Sequence, residues 1–551
     1  MRSPSLGLAL VGAAAAATQL SAVGSRGDRV NNVAIIGAGA AGSSAAYHLQ
    51  RYAAQEGVPI NITILEKTEH IGGRTVTVNI YDDPALPIEQ GASIFVAVNH
   101  ILYNATKHFD LPFGSLRDDE PGDITAIWNG NDIVWQAVEG SSWWWDVARM
   151  WWRYGLAPYR AVQLVKDVVG TFLRLYEEPH FPFRSLTQRA FELGLHKVTA
   201  ITGEQFLAEK NIKGGFTTDI MQAATRVNYA SNLAHIHGLE AMVSFAAEGA
   251  MSVAGGNWRI FDKMVRASGA ALLRNTTVTS IAFAKGDVEP GAPRKYIISA
   301  RDAGEQTADA QELATAFDNV IIASPWQYSN IGAAEGVLKH HIDEIPYMKL
   351  HVTLFASPFK LRAEYFKLQP GSKAPSNVYT TLGPDEEAKQ GPDGVGKTGF
   401  YSISTLRHVV NPKTHKREFV YKIFSAEAVT PEFLSRILGV KVPDSFVGST
   451  QEDGAPAAAV EPISWYRPHW FHSYPIELPR VTFQDPIIGP GLYYTSGIES
   501  FISTMETSAL MGMNVARLIA DDVAGKKREP DTMPSGQDAK GESPVLQPDE
   551  L

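Results

Sequence analysis

At 551 residues the chain is long for one domain, and its 44% hydrophobic and 20% charged residues describe a globular protein with ample core. A net charge of −10 with no basic stripe argues against a nucleic-acid partner, whose phosphates demand a basic face. The absence of cysteine excludes disulfides, a thiol nucleophile, a cysteine-ligated metal and a cysteine-tethered prosthetic group, and no metal site is expected.

In chain order, Arg2 and the apolar run Leu6–Ala17 read as a signal peptide over residues 1–25, too short to span a bilayer. Three sequons, at Asn61, Asn104 and Asn275, would be available for glycosylation in a secretory lumen. The final Pro548-Asp-Glu-Leu551 shares three residues with an ER-retention signal. The expected compartment is therefore the secretory pathway: ER, lysosome or vacuole, or the exterior.

Residues 30–115 read as the first segment of a dinucleotide domain. A buried strand, Val33–Ile36, turns on Gly37-Ala38-Gly39-Ala40-Ala41-Gly42 into a small-residue helix, and a second strand, Ile60–Leu65, ends on Glu66 and Lys67. Gly37 makes the tight turn, Gly39 admits a pyrophosphate to the backbone, and Gly42 allows close packing of helix on strand. The helix N-terminus offers N–H groups to phosphate, and Glu66 can accept from a ribose diol. Gly72-Gly73-Arg74 follows, then Gly91-Ala92-Ser93 after a strand-like Thr75–Ile80. A glycine pair before an arginine lets the main chain pass close to a flat or phosphorylated ligand while the guanidinium contacts its oxygens. Placed after the strand-end acid, it shifts the expected cofactor from NAD to FAD.

Residues 116–250 change character, with Trp143-Trp-Trp145, Trp151-Trp152 and an amphipathic helix over Ala161–Tyr176. They predict the first half of a substrate domain, whose apolar stripe is either its own core or the lining for a greasy ligand. Residues 251–330 return to the first texture: Val278 lies in a strand over 275–281, and a buried strand, Phe317–Ala323, ends at Ser324-Pro325, beside the adenine. Residues 331–485 predict the second half of the substrate domain, with strands at His351–Phe355, Thr398–Ser404 and Phe419–Phe424 and loops at 370–397 and 441–460. Residues 486–522 close the nucleotide domain: Gly497 and a helix beginning at Ser503-Thr504-Met505 would aim N–H groups at the flavin ring. Residues 523–551 read as a disordered tail. The fold class is α/β: a Rossmann-type FAD domain in three segments, interleaved with an α+β substrate domain.

The stretches VAIIGAGAAGSSAAYHL, IGGRTVTV, EQGASIF, RVNYASN at Arg226–Asn232, GGNWRI at Gly255–Ile260 and LYYTSGIESFISTMETSALMGMNVARLI at Leu492–Ile519 together resemble the prenylcysteine oxidase (prenylcysteine lyase) family, a branch of the amine oxidase-like flavoproteins. The resemblance implies an FAD-dependent thioether oxidase that takes S-farnesyl- or S-geranylgeranyl-cysteine, O2 and water to cysteine, prenyl aldehyde and hydrogen peroxide. It implies a long apolar tunnel, a polar mouth and a dry flavin face. Arg226, Asn228 and Tyr229 are candidates for the mouth or the flavin face, and His351 for proton handling. Their structural reading is a polar loop and a core or surface histidine. The lipophilic donor leaves a peripheral membrane or lipoprotein contact open. Another FAD oxidase, of an amine or other lipophilic donor, and a non-catalytic lumenal lipid-binding flavoprotein are the competing readings.

Overall fold

The computed structural model describes residues 29–526, apart from 248, 286–293, 305–308 and 444–461. The expected signal peptide, most of the 441–460 loop, the tail from 527 onward and the C-terminal tetrapeptide lie outside the described residues.

Strand β1 (Asn31–Ile36), helix α1 (Ala40–Glu56) and strand β2 (Ile60–Leu65) form the first βαβ unit. β1 is apolar on both faces from Val33 onward, as a strand covered on both sides must be, and Val33, Ala34 and Ile35 are fully buried. It pairs in parallel with β2 on one side and with Asn319–Ile322 on the other. Leu492–Tyr494 and Ala271–Leu273 extend the sheet in parallel, and Ile487–Gly489 closes one edge antiparallel. Chain from three distant segments thus builds one six-stranded sheet, in line with the expected α/β architecture.

Gly42 and Gly37 show why small residues are required at the turn. A Cβ on Gly42 would stand 2.0 Å from Gly37 O, and Gly37 itself holds φ +104. The same economy ties α1 to the C-terminal helix Met505–Val523, where a Cβ on Gly512 would meet Ala41 O at 2.1 Å. Ser44 Oγ donates to Ala509 O at 2.6 Å across that seam.

The second body is a seven-stranded, mostly antiparallel sheet in the order Trp465–Pro475, Tyr347–Ser357, Arg417–Ser425, Ser402–Val410, Asn377–Thr380, Ile124–Trp128 and Ile133–Val138. Two of its strands lie within 116–250, a region the sequence presents as helical. Trp465–Pro475 also escapes the sequence reading because it contains Pro468. The structure puts that strand at the sheet's edge, where a missing N–H need not break a ladder. The expected strand Thr75–Ile80 is shorter, Thr77–Asn79, and passes into a 3₁₀ turn at Ile80.

Candidate active site

Between the two sheets lies a cavity of about 1780 Å³. A drug-sized ligand needs roughly 300–1,000 Å³, so there is space for a dinucleotide and a second, elongated ligand. At one end it meets the βαβ turn. Gly39 caps the start of α1 with no side-chain hydrogen bond, and the first turn has no acidic residue, so its N–H groups open on the cavity. A Cβ on Gly39 would find only Gly73 Cα, at 3.8 Å, and would stand in the cleft itself. This cradle fits a pyrophosphate.

Most of the residues the sequence singles out for the cofactor come together here. Gly37, Gly39, Ala40, Ala41, Glu66 and Lys67 line this end, followed by Gly72, Gly73 and Arg74. Gly91, Ala92, Ser93, Val278 and Ser324 continue the wall, with Ser503, Thr504 and Met505 beyond them. Ala38, Gly42 and Gly497 are set behind it. Gly42 serves the turn, and a Cβ on Gly497 would strike Gln484 O at 2.5 Å.

Two of the side chains are already engaged by the protein. Glu66 accepts from Ala38 N at 2.8 Å and from Thr68 N and Thr68 Oγ1 at 2.9 and 2.8 Å, which leaves about one of a carboxylate's four acceptor positions free. The sequence reading places the Arg74 guanidinium on ligand oxygens. Instead Nη2 donates to Glu499 Oε2 at 2.7 Å and Nη1 to Ser473 O at 2.7 Å, so the arginine ties the cofactor end to both sheets while still bordering the cavity. Tyr347 donates to the same Glu499 oxygen at 3.1 Å.

The four candidates for chemistry divide. Asn228 and Tyr229 border the cavity; Asn228 Nδ2 donates to Ser244 O at 2.9 Å, and the Tyr229 ring meets Tyr474 edge-on at 5.3 Å. Arg226 does not reach it. Its guanidinium is fully buried and spent on Thr380 Oγ1, Asn232 Oδ1, Gly394 O and Val395 O, a tie between the helical region and the large sheet. His351 is also displaced from the expected role. Leu350 and Val352 line the cavity, and alternation along the strand turns His351 to the opposite face. Burial, and then Lys349, lowers its pKa.

Several groups escape the sequence reading. Lys422, on Arg417–Ser425, lines the cavity and donates to Ser93 Oγ at 2.7 Å and Glu89 O at 2.9 Å. Burial pulls its ammonium down to about 8, against the pull of Glu89. Glu506 accepts from Ile101 N, Leu102 N and Tyr176 OH at 2.8, 3.0 and 2.9 Å; burial outweighs these donors and raises it to about 7. Behind Tyr229 lies a buried acid pair: Glu240 accepts from Ser503 N at 3.1 Å, and Glu477 lies 3.5 Å from His237 Nε2. Burial raises both carboxyls and lowers His237 to about 3, so the cluster favours its uncharged forms. Only the tertiary fold brings Lys422 to Ser93, Glu506 to Ile101 and Glu477 to His237, because these partners are far apart in sequence.

The far end of the cavity is apolar. Met150, Val169, Phe172, Leu173, Ile220 and Phe245 wall it, all from the helical region.

The sequence profile of the prenylcysteine lyase family matches residues 137–532, and that of the NAD(P)-binding Rossmann-like domain matches residues 35–109. The chain belongs to the prenylcysteine lyase family. Among curated members of like sequence, the farnesylcysteine lyase of Arabidopsis thaliana is 26% identical over 507 residues, 89% of this chain and 88% of that protein. The prenylcysteine oxidase 1 of Bos taurus is 27% identical over 503 residues, 88% of this chain and 87% of that protein. The fold is also similar to that of putrescine oxidase bound to putrescine, with a TM-score of 0.51 at 12% identity over 89% of this chain and 99% of the other. Cyclohexylamine oxidase from Brevibacterium oxydans gives a TM-score of 0.50 at 15% identity, again over 89% and 99%. In this family member the Rossmann match covers the βαβ turn and the Gly72–Arg74 loop, while the family profile spans the apolar walls and five of the seven strands of the second sheet.

Proposed function

We propose that the chain is an FAD-dependent oxidase of S-prenyl-cysteine thioethers. The observation that carries this reading is the continuity of the cavity: one volume runs from the pyrophosphate cradle at Gly39 to the apolar wall of Met150, Val169 and Phe172. Family membership and relatives named for farnesylcysteine and prenylcysteine support the same substrate class.

Bound FAD supplies a hydride acceptor for prenyl C1–H, beside the sulfur, and with water and O2 the products are cysteine, prenyl aldehyde and hydrogen peroxide. The residues of this chain hold and shape the reactants. The βαβ turn and the acceptor left on Glu66 suit the dinucleotide's phosphates and ribose. The apolar end takes the prenyl tail and keeps water from it. Asn228 and Tyr229 line the same cavity and are the polar groups we assign to the amino-acid head. No strong base is needed, because the hydrogen leaves with its electron pair from a carbon that is allylic and next to sulfur.

Tyr229 and Tyr474, one of the aromatic pairs at the cavity wall, have centroids 5.3 Å apart at 68°, in contact with each other, so an amine donor does not fit between these two rings. A lumenal setting is supported by the exposure of all three sequon asparagines, Asn61, Asn104 and Asn275; a loss of apparent mass on N-glycosidase treatment of protein from its native host tests it.

The test of function is the visible spectrum of the purified protein before and after anaerobic S-farnesylcysteine. An oxidised flavin band that bleaches is expected. A band that persists rejects the donor, and no band after adding FAD rejects the cofactor.

A further inference from the structure

The helix Trp143–Tyr154 turns one narrow face inward and leaves the rest bare. Asp146, Met150 and Tyr154, four residues apart, are its half-buried positions. Met150 reaches the cavity wall, and Tyr154 donates to Asp219 Oδ2 at 2.9 Å and packs on Phe216. Opposite them Trp144, Trp145, Val147, Trp151 and Trp152 face solvent, Trp151 at 62% and Trp152 at 87% exposed. The patch continues onto the next helix, Ala157–Leu173, through Leu156 and Tyr159. A contiguous apolar surface of this kind on a water-soluble body marks a contact site.

Its chemistry selects the partner. Tryptophan and tyrosine combine an apolar ring with a polar N–H or O–H and favour the boundary between lipid headgroups and acyl chains. Arginine and lysine frame the rings: residues 143–173 hold four cations against two carboxylates on a chain of net charge −10, and while Arg149 is paired with Asp146 and Arg153 with Asp219, Arg160 and Lys166 are exposed. This local reversal of sign suits phosphate headgroups. Twelve residues of helix are too few to span a bilayer, and among the described residues no helix is long and apolar enough to cross one. The geometry is that of a helix lying in the interface plane. The same helix pair also bears Met150, Val169, Phe172 and Leu173 on the apolar cavity end, so the exposed aromatics and the lipophilic chamber are two sides of one layer.

We infer that the Trp143–Tyr154 face docks on a phospholipid bilayer and sets the apolar end of the cavity at the membrane surface. The inference rests on the prenyl-donor reading for its purpose but not for its evidence. The test therefore uses vesicles without donor: full-length protein is co-sedimented with phosphatidylcholine vesicles, with and without phosphatidylserine, and compared with the triple variant W145S/W151S/W152S. None of these three side chains borders the cavity, and all are exposed, so the thermal midpoint and the turnover of a detergent-dispersed donor are expected to stay as in wild type. Wild type is expected to partition onto both vesicles, more strongly onto the anionic ones, with the variant weaker by about tenfold or more. Wild type that stays in the supernatant, or a variant that partitions equally well, overturns the inference. A solution dimer that the same substitutions dissociate, without vesicle binding, overturns it in favour of a second copy of the chain. Failure of S-farnesylcysteine to bleach the flavin would instead reject the donor and leave the vesicle result standing.

Discussion

Lys422 Nζ donates to Ser93 Oγ at 2.7 Å, joining the large sheet to a loop of the cofactor end at the cavity wall. Burial lowers this ammonium to about 8. It is charged below that pH and neutral above it, so the cavity wall loses this one positive charge as the solution turns alkaline. With FAD bound in this cavity, a positive charge held at this wall would favour the reduced, anionic flavin. Turnover should therefore fall as pH rises through about 8. Lys422→Met should lack that limb and run about tenfold or more below wild type at neutral pH. The measurement is kcat against pH for both proteins; the same alkaline limb in the methionine variant would assign the titration elsewhere.

Glu506 gives a stability prediction with a definite sign. Burial raises its carboxyl from an ordinary value of 4.5 to about 7. A raised folded pKa means that the folded state holds its proton more tightly than the unfolded chain. The corresponding stability is complete below about 4.5 and is lost as pH rises through about 7, a change of about 3 kcal/mol. Glu506→Gln removes this dependence. Its amide must also set an N–H group against one of the donors of Ile101, Leu102 or Tyr176, at a cost of about 1–3 kcal/mol. The variant should be the less stable protein in acid, with the gap narrowing toward alkaline pH. Thermal midpoints on either side of neutrality decide it, and parallel curves would refute it.

Gly39 and Gly42 lie three residues apart, and their substitutions should fail in different ways. A Cβ on Gly42 collides with Gly37 O at 2.0 Å, so Gly42→Ala must push helix from strand and lower the thermal midpoint. A Cβ on Gly39 meets only Gly73 Cα at 3.8 Å, and Gly39 already has φ −75, which any residue adopts. Gly39→Val should keep the fold and its midpoint but lose the flavin absorbance on purification. A Gly39→Val protein that retains flavin would show that the pyrophosphate does not lie against this turn.

What the sequence could and could not show follows from the range of the interactions. The βαβ unit is legible because its turn, helix start and terminal acid are fixed by neighbours within about thirty-five residues. The return of the chain to the same sheet at Asn319–Ile322 and Leu492–Tyr494 is legible from apolar runs that only a doubly covered strand tolerates. Arg226 and His351 mislead for opposite reasons. A charged residue in a polar motif looks like a ligand but has four protein acceptors waiting, and a histidine in a strand stands one position from the residues that face the cavity. Lys422 and Glu506 carry no local signature: one is a cation within the apolar run Phe419–Phe424, the other an ordinary first-turn acid.

The apolar end of the cavity predicts how donor length is read. Val169 lines it together with Met150, Phe172 and Leu173, from a helix anchored by the buried Ala161, Val165 and Val168. The backbone there is held by its neighbours, so a larger side chain at 169 must project into the chamber. Val169→Trp should shorten the space for a prenyl tail and leave the dinucleotide end untouched. One methylene in an apolar pocket is worth about 1–3 kcal/mol, and the geranylgeranyl tail exceeds the farnesyl tail by a whole isoprene unit. The ratio of kcat/KM for S-farnesyl- over S-geranylgeranyl-cysteine should therefore rise by about tenfold or more, with flavin content unchanged. Equal losses on both donors would mean that the tail does not pass Val169 and that another wall of the chamber sets its length.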